Sequence, residues 1–324
     1  MYYRRLGHSG PEVSVIGFGT WEMGGNYGWC DQQEACQAVQ HALDLGVTLF
    51  DTAPTYGHGR AEALLGRALG ARRHEAIIVT KCGLPTRPHL KPYRDGRYQT
   101  IMEDVEESLR ALQTDYVDLL LLHWPDPETP LDESMRALMD LQQAGKARFI
   151  GVSNFAAPLL RAAREVAPIC ANQVGYNLFD RRWERHMFGT ARELGIGVMA
   201  YGPLAHGLLS GTLAGDTGFE PGDWRRDGLV FGQALFTPPN LRRNLEVVDE
   251  LKLVAQELGT TLPCLALAWV LREPVVAVAL CGVRRPEEIE ENVRAPDVWL
   301  EPDTLARIDA IMMGAAGLVE ELPA

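Results

Sequence analysis

The stretch Leu45-Gly46-Val47-Thr48-Leu49-Phe50-Asp51-Thr52-Ala53-Pro54-Thr55-Tyr56-Gly57 decides the fold. Gly46 closes an amphipathic run, Gln32–Leu45, at the point where a left-handed helix C-cap belongs. Val47–Asp51 then reads as a short apolar, β-branched strand, and it ends on a carboxylate. Tyr56 falls in the loop directly after it.

Working outward, the same grammar recurs along the chain. Strands are expected at Ser14–Gly19, Val47–Asp51, Ile77–Lys81, Val117–His123, Phe149–Ser153, Ile169–Val174, Val198–Tyr201 and Val275–Leu280. Helices are expected at Gln32–Leu45, Arg60–Leu69, Thr100–Leu112, Leu131–Gln142, Ala157–Val166, Trp183–Leu194 and Arg242–Leu258. Gly70, Gly145, Gly195 and Gly259 stand at helix ends as Gly46 does. Eight apolar strands separated by helices predict an α/β fold, a closed (β/α)8 TIM barrel rather than an open sheet. The segment Tyr2–Val13, with a Ser9-Gly10 turn, predicts an N-terminal β-hairpin at the barrel floor. After strand seven a long irregular stretch runs from about Gly211 to Asn240, and loops of that length are functional lids or disordered. No linker interrupts residues 1–324, so one barrel domain is expected.

The composition fits a chain that buries a large core, at 46% hydrophobic and 23% charged. A formal net charge of −12 argues against a broad nucleic-acid or anionic-membrane footprint. The cysteines, Cys30, Cys36, Cys82, Cys170, Cys264 and Cys281, form no CxxC pair and no zinc-ligand spacing, so no metal is expected. Scattered thiols, and a start (Met1–His8) without the apolar core of a signal peptide, predict a cytoplasmic protein. No window holds the roughly 18 unbroken apolar residues of a membrane helix. The oligomeric state is left open.

In such barrels the active site lies at the carboxyl ends of the strands. Here those ends are polar: Asp51, Lys81, His123, Ser153-Asn154, Asn172-Gln173 and Tyr201. A single one of them reads as a cap or rim residue, but a succession makes a convergent polar pocket. Asp51 and Lys81 lie on neighbouring strands, where the carboxylate supplies the counter-charge a buried ammonium needs. Lys81 beside the Tyr56 phenol is expected to pull that phenol below its ordinary pKa of about 10. With His123 to orient an oxygen, the set describes protonation of a developing alkoxide, without a nucleophile or a metal.

Residues 50–57, Phe-Asp-Thr-Ala-Pro-Thr-Tyr-Gly, resemble the aldo-keto reductase superfamily, and the likeness extends over almost the whole chain. It runs through Gly17-Phe18-Gly19-Thr20-Trp21, Val79-Thr80-Lys81, Leu122-His123-Trp124-Pro125, Gly145–Phe155, Asn172–Asn177 and Tyr201-Gly202-Pro203-Leu204, in order. The hairpin and the long loop resemble the bacterial branch related to potassium-channel β-subunits. The resemblance implies a carbonyl reductase that takes hydride from NADPH, with NADH also possible. It implies Asp51, Tyr56, Lys81 and His123 as the catalytic set, with Tyr56 as general acid. Ser153, Asn154 and Gln173 would hold the nicotinamide carboxamide, Tyr201 would stack on the ring, and Gly19, Thr20 and Trp21 would lie beside its ribose and the substrate. Residues 202–211, including Gly202, Pro203, Leu204, Gly207, Leu209, Ser210 and Gly211, match a pyrophosphate loop whose amides can meet phosphate oxygens. Residues 282–292 match the adenosine-phosphate segment, with Gly282, Arg284, Arg285, Glu288, Glu291 and Asn292 named for it. Three positions depart from the family pattern: Cys281 where Pro is common, Thr212 where Lys is common, and Glu288 where Arg or Gln is common. A carboxylate at 288 would repel a ribose 2′-phosphate, while Arg284 and Arg285 would attract it.

Trp21, Trp29 and Trp124, with Tyr56 and His123, line an expected pocket for an apolar or aromatic small-molecule carbonyl, or else pack the barrel rim. His58 and His206 read as loop histidines, and Glu103–Glu107 as a solvated helix face. Asp223, Arg225 and Arg226 either close over the cofactor or belong to a mobile loop. A nicotinamide-sensing binding subunit with weak turnover is the alternative function. A metal-dependent hydrolase is set aside, because only His123 stands at a strand end.

Overall fold

The computed structural model describes residues 1–324 except 26, 29, 87–92, 215–216, 221 and 323–324. β1 (Tyr3–Arg5) and β2 (Glu12–Ser14) pair antiparallel as a hairpin. There follow β3 (Ile16–Gly19), α1 (Gln32–Asp44), β4 (Leu49–Asp51), α2 (Arg60–Leu69), β5 (Ile77–Cys82), α3 (Tyr98–Leu112), β6 (Val117–Leu122) and α4 (Leu131–Gln143). Next come β7 (Ala147–Ser153), α5 (Ala157–Val166), β8 (Ala171–Gly175), α6 (Arg182–His186), α7 (Phe188–Leu194) and β9 (Gly197–Tyr201). The chain continues with α8 (Pro238–Glu257), α9 (Leu262–Leu271), β10 (Val276–Gly282), α10 (Pro286–Asn292) and α11 (Pro302–Met312). Strands β3 to β10 close into a parallel barrel in chain order, with β10 pairing back onto β3.

Strand alternation builds the barrel interior in layers. Leu49, Val79, Leu119, Leu121, Ala171, Met199 and Val278 fill its lower half, and the hairpin residues Leu6 and Val13 plug its floor. One strand step above Leu49 and Val79 stand Asp51 and Lys81, so the inward face changes from apolar to polar at the mouth. The floor joint is tight. Gly7, at φ +65°, abuts the backbone at Cys170, Gly195 and Gly197, where a Cβ would lie 2.6–2.7 Å from backbone atoms.

β4 begins two residues later than the sequence predicts. Gly46 N–H donates to Leu43 O and Val47 N–H to Ala42 O, both at 2.9 Å, so Val47 belongs to the Schellman closure of α1. The expected helix Trp183–Leu194 is two helices broken at Met187 (φ −141°), where Trp183, Met187 and Phe188 all turn into the core. α8 starts at Pro238, ahead of the expected Arg242, because proline suits the first helical turn. Three helices escaped the sequence reading. Every residue of α9 is buried, so it has no amphipathic period to detect, and α10 and α11 are short pieces opened by proline.

The long stretch after β9 folds back over the mouth. The Asp223 carboxylate accepts from Arg225 N–H at 3.0 Å and takes the Arg225 guanidinium at 3.0 and 2.6 Å. Arg225 also donates to His206 O at 3.1 Å, and the Trp224 ring lies 5.1 Å from that of Trp21.

Candidate active site

β4 and β5 put Asp51 and Lys81 side by side at the mouth. The Lys81 ammonium, fully buried, lies 2.9 and 2.8 Å from the Asp51 carboxylate oxygens, 2.8 Å from Thr52 O and 3.1 Å from Tyr56 OH. An isolated charge here would be very costly, and the carboxylate with two further oxygens replaces its hydration. Asp51 is itself held: Gln173 on β8 donates to its Oδ1 at 2.6 Å. His123 follows β6, and its ring meets the edge of Tyr56 at 6.2 Å between centroids. Its Nδ1 is buried without a partner among the described residues, and burial together with Lys81 holds the imidazole well below its usual pKa, hence neutral.

The Tyr56 phenol departs from the sequence expectation. Its pKa is raised well above 10, first by burial and then by the Asp51 carboxylate. The negative partner that neutralises Lys81 also cancels the pull Lys81 would exert on the phenol. The phenol therefore stays protonated through the neutral range, in the form that donates a proton.

A second chain of contacts runs across the neighbouring strands. Tyr201 OH donates to Asn154 Oδ1 at 3.0 Å, and Asn154 Nδ2 donates to His123 O at 3.1 Å and to Ser153 Oγ at 3.0 Å. Ser153 Oγ donates to Gln173 O at 2.8 Å. Asn154 has φ +63°, as His206 and Phe231 have +57° and +45°, and all three line the cavity; strain of this kind gathers where a site over-determines the backbone.

The cavity measures about 540 Å³ and runs from Tyr56, His123 and Trp124 to Arg284, Arg285, Glu288, Glu291 and Asn292. Gly19, Thr20, Trp21, Asp51, Ser153, Asn154, Gln173, Tyr201, Gly202, Pro203, Leu204, Gly207, Ser210 and Gly282 also wall it. Lys81 lies behind this wall, Leu209 is buried in the core, and Gly211 packs against Lys252, so these three do not face the cavity. Trp29 lies outside the described residues. The sequence reading missed Glu22, Tyr27 and Phe231 as cavity walls, and set His206 aside as a loop residue; Arg225, one of the residues expected to close over the cofactor, does line the cavity. His206 is buried, 3.3 Å from Tyr27 OH through Nδ1, and pushed down to about 3 by burial and Arg225. The signal for Glu22 was its place directly after Thr20-Trp21.

The donor set fits an elongated dinucleotide. An aromatic ring, Tyr201, and amide groups stand at the reactive end, and left-handed backbone at His206 and Gly207 lies along the middle. The far end carries paired Arg and Glu side chains.

A (β/α)8 barrel with a protonated phenol beside a buried lysine–aspartate pair is the setting of an oxidoreductase. The aldo/keto reductase family model matches residues 15–312, and the chain belongs to that family. It is 37% identical over 294 residues to the aldo-keto reductase YhdN of Bacillus subtilis (strain 168), covering 90% of this chain and 87% of that one. It is 31% identical over 324 residues to the NADH-specific methylglyoxal reductase of Escherichia coli (strain K12), covering 95% and 96%. The solved structure of the glycerol dehydrogenase AKR11B4 from Gluconobacter oxydans superposes with a TM-score of 0.86 at 35% identity, covering 98% and 96%.

Proposed function

We propose that this chain reduces aldehydes or ketones to alcohols with hydride from a reduced nicotinamide dinucleotide. The observation that carries the reading is the 3.1 Å contact between Lys81 Nζ and Tyr56 OH, with Asp51 chelating the same ammonium. Tyr56 donates its proton to the carbonyl oxygen as negative charge develops there, and Lys81 stabilises the phenolate left behind. Neutral His123, which lines the cavity beside Tyr56, orients that oxygen. Ser153, Asn154 and Gln173 hold the nicotinamide carboxamide, and Tyr201 supports the ring. The bound dinucleotide supplies the hydride; the protein supplies position and electrostatics. NADPH and NADH share every group these residues would hold, so the proposal covers both. Trp21, Tyr27, Trp124 and Phe231 give the substrate end an aromatic lining suited to apolar or aromatic carbonyls. The methylglyoxal and glycerol specificities named for two relatives also belong to carbonyl–alcohol chemistry. A small carbonyl compound is the partner proposed, in a cytoplasmic setting that would keep the six free thiols reduced.

The test follows loss of the reduced-nicotinamide absorbance band with 4-nitrobenzaldehyde, in the wild type and in Tyr56→Phe. The variant is expected to lose at least about a hundredfold in kcat while its dinucleotide affinity stays within about twofold. Wild-type kcat in Tyr56→Phe would remove Tyr56 as the proton donor. Tight binding without turnover across a panel of aldehydes would favour a nicotinamide-sensing role instead.

A further inference from the structure

The far end of the cleft holds two arginines that suggest a phosphate site, but both are already engaged. Glu288 Oε2 accepts from Arg284 N–H at 2.7 Å and from Arg285 N–H at 3.3 Å. Its Oε1 lies 3.3 Å from the Arg285 guanidinium and 3.9 Å from that of Arg284. A single carboxylate thus occupies both amides ahead of α10 and faces both side chains. Pro286, which opens α10, has no N–H to add.

The local charge balance points the same way. Three carboxylates, Glu22, Glu288 and Glu291, line the cavity together with Arg284 and Arg285. Arg225, which also lines it, is held bidentate by Asp223. Glu22 reaches in from the turn after β3, and its Oε2 is buried with no hydrogen-bond partner among the described residues. An unpaired carboxylate oxygen is an acceptor that lacks a donor.

We propose that this end of the cleft selects NADH over NADPH, with Glu288 and Glu22 as the discriminating residues. The inference rests on the reading that the cleft binds a nicotinamide dinucleotide. A 2′-phosphate brings up to two further negative charges into a site that is already net negative, and it would have to displace Glu288 from its own amides. The unmodified ribose presents two hydroxyl donors instead, which carboxylates accept. The preference expected from Arg284 and Arg285 alone is thereby reversed.

Tryptophan-fluorescence titrations with NADH and with NADPH, at low ionic strength, test this without turnover. The wild type is expected to bind NADH at least about tenfold more tightly than NADPH. Glu288→Gln keeps a side-chain acceptor for the Arg284 amide, so the fold is retained, and it is expected to cut that ratio about tenfold. Glu22→Gln is expected to shift the ratio in the same direction, and added salt to shrink the wild-type preference. Equal or tighter wild-type binding of NADPH overturns the proposal, as does an unchanged ratio in both variants. Failure of both nucleotides to bind the wild type overturns the parent reading as well. Binding of both without preference overturns this inference alone.

Discussion

The carboxylate of Glu22 rests against the bare Cα of Gly282, in the space that a Cβ at position 282 would need. The contact joins the turn after β3 to the end of β10 across the barrel seam, and it places an acid inside the cleft. Gly282→Ala is expected to leave the fold intact, with a stability change within about 1 kcal/mol, because only the end of a flexible side chain has to move. The displaced carboxylate enters the cleft and weakens dinucleotide binding several-fold. Titration of Gly282→Ala, Glu22→Ala and the double variant checks this: the double variant should recover most of the affinity. Equal losses in Gly282→Ala with and without Glu22 would place the cause elsewhere.

Loss of water around Glu22 pushes its pKa up to about 7, opposed by Arg284 and Arg225 and reinforced by Glu288. The 2′-phosphate of NADPH adds negative charge nearby and raises that pKa further, so NADPH binding takes up a proton. NADPH affinity is therefore expected to be greatest below pH 7 and to fall as pH rises through that value, by up to about tenfold per unit. Fluorescence titrations from pH 6 to 9 measure the slope, and Glu22→Gln should flatten it.

At saturating dinucleotide the reductive step should show no such dependence. The Tyr56 phenol is held above its usual range and the His123 imidazole below it, so neither changes charge across the neutral range. A flat kcat profile across that interval is the expected outcome. A falling limb that moves in a His123 variant would show that the imidazole titrates during reduction.

Lys81→Met leaves Asp51 buried beside Tyr56 without its cation. A loss of about 3–5 kcal/mol in unfolding free energy is expected from denaturant titration. Adding Asp51→Asn to that variant should recover part of the loss, since the stranded charge is then removed. Additive losses in the double variant would mean that the ammonium matters for packing and not for pairing.

Trp224 lies 5.1 Å from Trp21 and 5.8 Å from Tyr27, bringing the long loop onto the substrate end. Each aromatic contact contributes about 0.5–1.5 kcal/mol. Trp224→Ala is expected to raise KM for 4-nitrobenzaldehyde about tenfold and to change KM for a small aliphatic aldehyde far less. Equal changes for both substrates would mean that the loop acts on the dinucleotide.

Much of this site is legible from strand periodicity. Once β4, β5 and β6 are recognised, alternation sends Asp51 and Lys81 inward one step above Leu49 and Val79, and His123 stands just past Leu121 and Leu122. Tyr201 is found by the same reasoning at the end of β9, whereas Tyr56 is found by its place in the loop that follows β4. The long loop is legible as an interruption, but its docking is not. Nothing local in Asp223-Trp224-Arg225 says that Trp224 meets Trp21 some 200 residues earlier. α9 was missed for the opposite reason, since its uniformly apolar sequence erases the period that marks a surface helix.

The sequence by itself determined the barrel, its hairpin floor and the polar ring at its mouth, because each follows from a period of two or from a cap within a few residues. Only the tertiary structure decided the charge state of the Tyr56 phenol, where burial and then Asp51 outweigh Lys81, and the role of Arg284 and Arg285, which Glu288 engages first. It alone set Glu22 against Gly282. Electrostatic outcomes depend on distance and on access of water, and both are settled by how strands from opposite ends of the chain meet around one axis.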